Sequence, residues 1–396
     1  MIRAFLQRHP LPAIVIAQLC GTSLWFSVNG VWLSLSRELE FSEAHLGFLT
    51  LAVQAGFIVG TLGMAITGLA DRFRASHVFA VASLLGAVIN GGFVLAAVSP
   101  PLDVVMRFMT GLCLAGIYPL GMKLVISWTP KHAGAALSWL VGMLTVGTAL
   151  PHLLRGATVG MSWQWPMLAA SVLALVGGAL VLVLGDGPHL PKRHGGMRLR
   201  EGLAGLMTAR FRAVAGGYFG HCWELYTFWM LVPLLIGREV MRLDVSTTLI
   251  PWLSFIIIAL GAIGCVGGGW ISRIIGSQRV ARYALVISGF ICLIYPFLTW
   301  APAAWLLVLL ALWGIIVIAD SPQFSALAAI NAPQEFIGSS LAMMNALGFA
   351  LTLPAIWVTS ALWSLHGTWV ILWLLPGPVL GLCAFRGLGA SKANSG

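Results

Sequence analysis

The sequence predicts an all-α membrane protein of twelve transmembrane helices arranged as two pseudo-symmetric six-helix bundles. Three observations carry this expectation. Residues are 59% hydrophobic and only 9% charged, with a mean hydropathy of +0.94, where a water-soluble domain carries roughly 25% charged residues. Apolar runs of about 20 residues, each long enough to cross a hydrocarbon core of roughly 30 Å as a helix, recur along the whole chain. A single basic, Pro/Gly-interrupted stretch, "GDGPHLPKRHGGMRLREGLAGLMTARFR" from Gly185 to Arg212, divides them near the middle.

In chain order the spans fall at 11–33, 44–68, 77–98, 101–128, 133–159, 164–185, 212–236, 247–272, 280–299, 302–330, 336–362 and 367–386. The first follows "MIRAFLQRHP" and lacks a small-residue cleavage site, so it reads as a retained helix 1 and not as a signal peptide. The six cysteines, at 20, 113, 222, 265, 292 and 383, all fall inside predicted helices without zinc or redox spacing, and read as packing residues. The net charge of +10 invites a nucleic-acid reading, which its distribution excludes. With both ends in the cytoplasm, 16 of the 22 Lys and Arg fall on cytoplasmic segments and 3 (Arg37, Arg238, Arg242) on outside loops. That asymmetry is the positive-inside rule, a topology signal.

These limits give an amino-terminal bundle over 1–185, a cytoplasmic linker over 186–211 carrying a short interfacial helix from Met197 to Ala209, and a carboxy-terminal bundle over 212–396. A repeat links the halves. Gly60, Gly63, Gly68 and Arg72 near the end of helix 2 recur with identical spacing as Gly261, Gly264, Gly269 and Arg273 near the end of helix 8, and "TPKHAG" after helix 4 is echoed by "APQEFIG" after helix 10.

The turn after helix 2, "TGLADRFRAS", resembles the cytoplasmic signature of the major facilitator superfamily, a Gly, then Leu-Ala-Asp-Arg, then a Gly with a basic pair. Leu69, Ala70, Asp71 and Arg72 match; Thr67 replaces the leading Gly, and Arg74, Ala75 and Ser76 replace the trailing residues. "GWISRIIGSQR" keeps Gly269 and Gly276 but carries Arg273 at the acidic position, and "RFMTG", with Arg107 and Gly111, is similar to the family's helix 4 signature. The resemblance implies that helices 1, 4, 7 and 10 line a central cavity opened alternately to each side. It assigns Asp71 and Arg72 a gating role at the cytoplasmic end of helix 2. The Gly-Pro motif of many antiporters is missing from "GMLTVGTALPHLLRG", where Pro151 is followed by His152.

Ionisable groups inside a membrane helix are costly and mark functional candidates. Glu224 lies about 12 residues into helix 7, ~18 Å deep. His221 is one turn below it on the same face, and Tyr218 extends that face while Tyr226 borders it. Two readings stay open for this pair: Glu224 takes up a proton while His221 contacts substrate or relays it, or the pair is neutralised and locks helix 7 to a neighbour. Trp223 and Trp229 read as packing residues. In helix 10, "IADSPQFSA" sets Asp320, Ser321, Gln323 and Ser325 around Pro322, which breaks the backbone ladder. Asp320 is a second proton-coupling or substrate candidate, or a structural partner of that broken backbone.

The amino-terminal half supplies cations. Arg107 and Tyr118 in helix 4 and His152 in helix 5 are candidate substrate contacts, whereas Lys123 and Arg155 also fit snorkelling toward headgroups. Gln18, Thr22, Ser23 and Asn29 of helix 1 either contact ligand or glue helices, with Gln18 and Asn29 the candidates carried forward. Gln54 and Asn345 are flanking candidates.

These residues and the resemblance together point to a secondary active transporter of a small polar solute, anionic by preference and proton-coupled, in a bacterial cytoplasmic (inner) membrane and able to work as a monomer. Its partners are the solute, protons and the lipid bilayer. The alternatives are proton-driven efflux of amphipathic drugs or metabolites and, from another class, a channel or non-transporting subunit. No HExxH pair, Cys/His cluster or P-loop sequence occurs, so neither an enzyme, a cofactor nor a metal is expected. Replacing Asp71 with Asn is expected to slow transport while leaving ligand binding in place; unchanged transport at equal expression counts against the gating role.

Overall fold

The computed structural model describes all residues except Met1, Val98, Pro100, 190–198, 334–336 and 391–396. Among the described residues every regular element is helical. Ten stretches are long and apolar enough to cross a membrane: Pro10–Glu38, Ala44–Thr67, Ala75–Ala96, Leu102–Trp128, Ala133–Ala157, Gln164–Leu184, Leu249–Ile275, Ser277–Leu298, Ala303–Asn331 and Ile337–Phe385. The last holds two of the expected spans, a helix over Ile337–His366 and, after a 3-10 segment Gly367–Trp373, a helix over Pro376–Phe385. The expected helix 7 is a continuous helix over Ala209–Arg242, too polar to be among the ten. The twelve-helix plan is thereby complete, and the helices keep the numbers 1 to 12.

Helix 7 runs beyond the expected 236. The reason is local charge pairing: Glu239 is fully buried and accepts from Arg238 (2.5 Å) and Arg242 (2.6 Å), which neutralise it inside the last turns. Arg242 also donates to Ala301 O at 2.7 Å and Arg238 to Thr299 O at 3.4 Å, tying helix 7 to the connection between helices 9 and 10. Arg238 and Arg242 are therefore helical residues and not loop residues, and Arg37 likewise lies within the helix Ser27–Glu38. The linker contains a helix over Leu199–Met207, where a short helix is expected; its centre at 190–198 lies outside the described residues, as do Gln334, Glu335 and Phe336 of the "APQEFIG" echo.

Besides helix 8, which breaks at Leu260 between Leu249–Ala259 and Gly261–Ile275, three spans are interrupted where the sequence favours it. Helix 1 opens into a turn over Ser23–Phe26. There Thr22 Oγ1 donates to Gln18 O (2.8 Å) and Ser23 Oγ to Cys20 O (2.7 Å), side-chain bonds that compete with the helical ladder. Helix 4 breaks over Gly116 and Ile117, just before Tyr118-Pro119, since Pro119 has no N–H and its ring collides with the carbonyl four residues back. Helix 10 breaks over 317–320, and Pro322 sits in the first turn of the resumed helix Ser321–Asn331.

Packing divides the chain into two compact units, Met1–Gly196 with Ser246–Ala259, and Met197–Val245 with Leu260–Gly396. In the first unit helices 2 and 4 meet backbone to backbone. A Cβ on Gly56 would fall on Phe108 O, one on Gly111 on Val53 O, and one on Gly60 would come within 2.8 Å of Ala115 Cβ. The segment Leu249–Ala259 belongs to this unit through helix 5, with Trp252 so close to Gly156 that a Cβ there would lie 2.8 Å from the indole. In the second unit helices 8 and 10 repeat the close approach of helices 2 and 4: a Cβ on Gly264 would strike Ile315 O, and one on Gly268 would lie 2.9 Å from Ala319 O. Small residues give membrane helices this proximity. Left-handed glycines end helix 2 (Gly68, φ 66°) and helix 8 (Gly276, φ 86°), so the second half keeps a glycine at the helix end but places it seven residues later than the Gly60 to Gly261 alignment implies.

Gly264→Ala is expected to destabilise the protein by about 1–3 kcal/mol through overpacking. Gly63→Ala, where a Cβ meets nothing within 4 Å, is expected to be tolerated. Thermal unfolding of both variants in detergent checks the contrast.

Candidate functional site

In the first unit the chemistry gathers at the break of helix 1. Arg107, 1% exposed, lies on helix 4 and spends its guanidinium on the interrupted helix: Nη2 donates to Trp25 O at 2.5 Å, and Nη1 to Leu24 O (3.3 Å), Ser27 Oγ (3.0 Å) and Asn90 Oδ1 (3.3 Å). Ser27 Oγ in turn lies 2.6 Å from Asn90 Oδ1, and Asn90 Nδ2 donates to Met167 O and Ser171 Oγ. One buried cation thus joins helices 1, 3, 4 and 6, and every partner it has is a neutral oxygen. The Arg-x-x-x-Gly pattern is legible in these terms. Arg107 satisfies carbonyls freed from helix 1, and four residues on Gly111 admits the backbone of helix 2.

The second unit carries carboxylates instead. His221 Nδ1 lies 2.7 Å from Asp320 Oδ1, both side chains 2% exposed, in ion-pair contact but without hydrogen-bond alignment, and neither atom has a hydrogen-bond partner. Asp320 stands at the end of the helix 10 break, where the resumed helix begins and its dipole favours negative charge. Tyr218 and Phe324 flank the histidine, with ring centroids 6.0 and 6.2 Å from the imidazole. Glu224 goes elsewhere. Its Oε1 accepts from Ser288 Oγ, Trp313 Nε1 (2.8 Å) and Cys292 Sγ (3.3 Å), all on helices 9 and 10. His221 and Glu224 therefore do not meet each other. Three residues turn a helix by about 300°, so their side chains diverge by ~60° and reach different neighbours.

The remaining candidates disperse. Gln18 is fully buried with neither amide atom hydrogen-bonded, and glycine at 121 makes room for it, since a Cβ there would fall on Gln18 Oε1. Asn29 Nδ2 donates to Thr50 Oγ1 at 3.1 Å. His152 is buried with Nε2 unpartnered, and Gln323 is buried one turn beyond Asp320. Tyr118, half-buried, lies against Phe57. Arg155 donates to Met161 O at 2.9 Å in the loop after its own helix. Trp223 donates to Trp373 O and Trp229 packs edge-on against Tyr226. Arg72 is exposed in the short helix Leu69–Arg72, and the side chain of Asp71 lies outside the described residues.

Sequence reasoning missed Asn90 and Ser288, the polar groups that receive Arg107 and Glu224. Their only signal is one polar residue in an otherwise apolar stretch, "VINGG" and "VISGF". It also missed the contact of His45 with fully buried Asp103 at 2.5 Å, between the starts of helices 2 and 4. Among the described residues no three His, Cys, Asp or Glu side chains gather to hold a metal.

The family model described as the Major Facilitator Superfamily matches residues 14–355. The chain belongs to the Major Facilitator Superfamily. Its curated relatives include the niacin transporter NiaP of Acinetobacter baylyi, 30% identical over 132 residues, which are 30% of this chain and 29% of that protein. The 4-hydroxybenzoate transporter PcaK of Pseudomonas putida is 34% identical over 155 residues, 38% of this chain and 32% of that protein. The matches thus span about a third of these relatives. Solved structures with the same superfamily fold include a mutant of the nucleoside transporter NupG (TM-score 0.69, 16% identity, 96% of this chain and 99% of that chain covered) and the human organic anion transporter MFSD10 (TM-score 0.70, 13% identity, the same coverage).

Arg107→Met is expected to leave the Trp25 carbonyl unsatisfied, at about 1–3 kcal/mol, and to leave Leu24 O with Ser27 Oγ as its remaining partner. The loss should appear as a lowered unfolding temperature in detergent, and Ser27→Ala, which leaves the guanidinium its carbonyls, should cost less.

Proposed function

We propose that this chain is a secondary active transporter that carries a small aromatic monocarboxylate together with protons by alternating access. The observation that carries the coupling is the buried contact between His221 and Asp320 at the interruption of helix 10. A carboxylate and an imidazole in contact change, as a pair, by one unit of charge when either gains or loses a proton. An intramembrane titratable pair of this kind is the usual place for a proton relay, and discontinuous helices are where carriers build coupling sites. Entry of an anion with a proton leaves the pair's charge balanced through the cycle.

The substrate class is supported by the relatives. Niacin and 4-hydroxybenzoate, named for NiaP and PcaK, are both aromatic rings bearing one carboxylate. Tyr218 and Gln323 beside the His221–Asp320 pair, and Gln18, Asn29, Tyr118 and His152 in the other unit, are the proposed substrate-side groups; Glu224 is a second proton acceptor and Asp71 with Arg72 a gate. Arg107 fits better as a residue that shapes helix 1 than as a direct anion ligand, because both terminal nitrogens of its guanidinium already donate to oxygens of helices 1 and 3. The proposed setting is a bacterial cytoplasmic membrane, with both termini inside and a monomer as the working unit.

Proteoliposomes holding a pH-sensitive dye test the proposal. An inward gradient of benzoate, nicotinate or 4-hydroxybenzoate should move protons in wild-type vesicles, and Asp320→Asn should abolish that movement at equal reconstitution. Proton movement that survives in Asp320→Asn but is lost in Glu224→Gln transfers the role to Glu224. Solute flux with no proton movement in the wild type contradicts coupling.

A further inference from the structure

Three aromatic side chains of the first unit form a ladder across helices 1, 2 and 4. Trp25 and Phe57 have ring centroids 4.7 Å apart at 42°, and Phe57 and Tyr118 6.4 Å apart at 27°. Trp25 is fully buried and Phe57 nearly so, while Tyr118 at the far end is partly exposed. Both ends of the ladder stand at helix interruptions: Trp25 lies within the turn of helix 1, and Tyr118 is the first residue of the resumed helix 4. Another aromatic pair of the chain, Tyr226 with Phe349 (5.0 Å), joins two continuous helices and needs no such break.

The buried end is held from two sides. Arg107 Nη2 donates to Trp25 O at 2.5 Å, fixing the backbone, and Trp25 Nε1 donates to Gln54 Oε1 at 3.2 Å, fixing the ring. Gln54 and Phe57 are three residues apart on helix 2, so one face of that helix both anchors the indole and stacks on it. A guanidinium buried in hydrocarbon is costly. Arg107 meets the carbonyls of the helix 1 break, and in doing so it fixes the backbone from which the Trp25 ring projects.

We propose that the Trp25–Phe57–Tyr118 ladder is the ring-recognition surface of this carrier, on which an aromatic substrate stacks against Tyr118, and that Arg107 and Gln54 are positioning residues acting through Trp25. The inference rests on the aromatic-carboxylate reading above and adds where, and by which property, the ring is recognised. A π-face stacks on tyrosine, while a saturated ring of the same size and charge only fills space.

Benzoate and cyclohexanecarboxylate separate these terms, since both carry one carboxylate on a six-membered ring. Radiolabelled uptake of each into proteoliposomes gives a KM ratio for wild type, Tyr118→Leu, Tyr118→Phe and Phe57→Leu, and detergent melting of each protein checks folding. Wild type should favour benzoate, and Tyr118→Leu should erase roughly two- to tenfold of that preference by raising the benzoate KM, while Tyr118→Phe keeps it. Phe57→Leu, which removes the ring behind Tyr118, should erase part of it. If wild type moves benzoate and Tyr118→Leu keeps the wild-type ratio, or loses both substrates equally, the ladder is core packing and the inference fails while the substrate reading stands. If wild type neither moves nor is thermally stabilised by benzoate, nicotinate or 4-hydroxybenzoate, the substrate reading fails and the ladder inference falls with it.

Discussion

In hydrocarbon a carbonyl released from a helix has no water to turn to, so every interruption of a membrane helix must be met from within the protein. This constraint arranges the polar chemistry of the chain. Helix 1 opens at Ser23–Phe26, and Arg107 fills the gap with four hydrogen bonds to its surroundings. Helix 10 opens over 317–320, and the break ends on Asp320 in contact with His221. The interruptions are therefore where charge can be held at membrane depth, and where the broken helices present side chains that an unbroken helix would turn away.

The two units hold opposite signs of charge near their interruptions. The first brings a cation from helix 4 to the carbonyls of helix 1 and backs it with Asn90 and Ser27. The second brings a carboxylate from helix 7 to the neutral donors Ser288 and Trp313, and pairs a second carboxylate with a histidine. Close helix contacts make both arrangements possible. Gly56 and Gly111 let helix 2 approach helix 4, and Gly264 and Gly268 let helix 8 approach helix 10, so the polar groups lie on rigid pairs of helices. Under the proposed function the fixed cation shapes a binding surface, and the titratable pair carries the exchangeable proton.

The fold was legible because hydrophobic length is a local property, and it suffices for the helical membrane-spanning plan. The candidate site was legible only by residue. Arg107, Glu224, His221 and Asp320 are visible as ionisable residues in apolar runs, and all four prove buried. Their partners are not visible, because partnership across helices depends on rotation and depth, which a run of Leu, Val and Ile does not encode. His221 and Glu224 look like a pair at three residues' spacing, yet one faces helix 10 and the other helix 9 as well as helix 10. The length of helix 7 was missed for a related reason. Arg238 and Arg242 read as loop charges until Glu239 is seen to hold both.

If Asp320 holds the exchangeable proton, its carboxyl changes its bonding when substrate binds. Infrared difference spectroscopy of the purified, reconstituted protein with and without benzoate measures this directly. Wild type should show a change in the carboxylic-acid stretching region that disappears in Asp320→Asn and persists in Glu239→Gln. A wild-type spectrum unchanged by benzoate in that region, in a protein that demonstrably binds it, or a change that survives intact in Asp320→Asn, would contradict the assignment of the exchangeable proton to the helix 10 break.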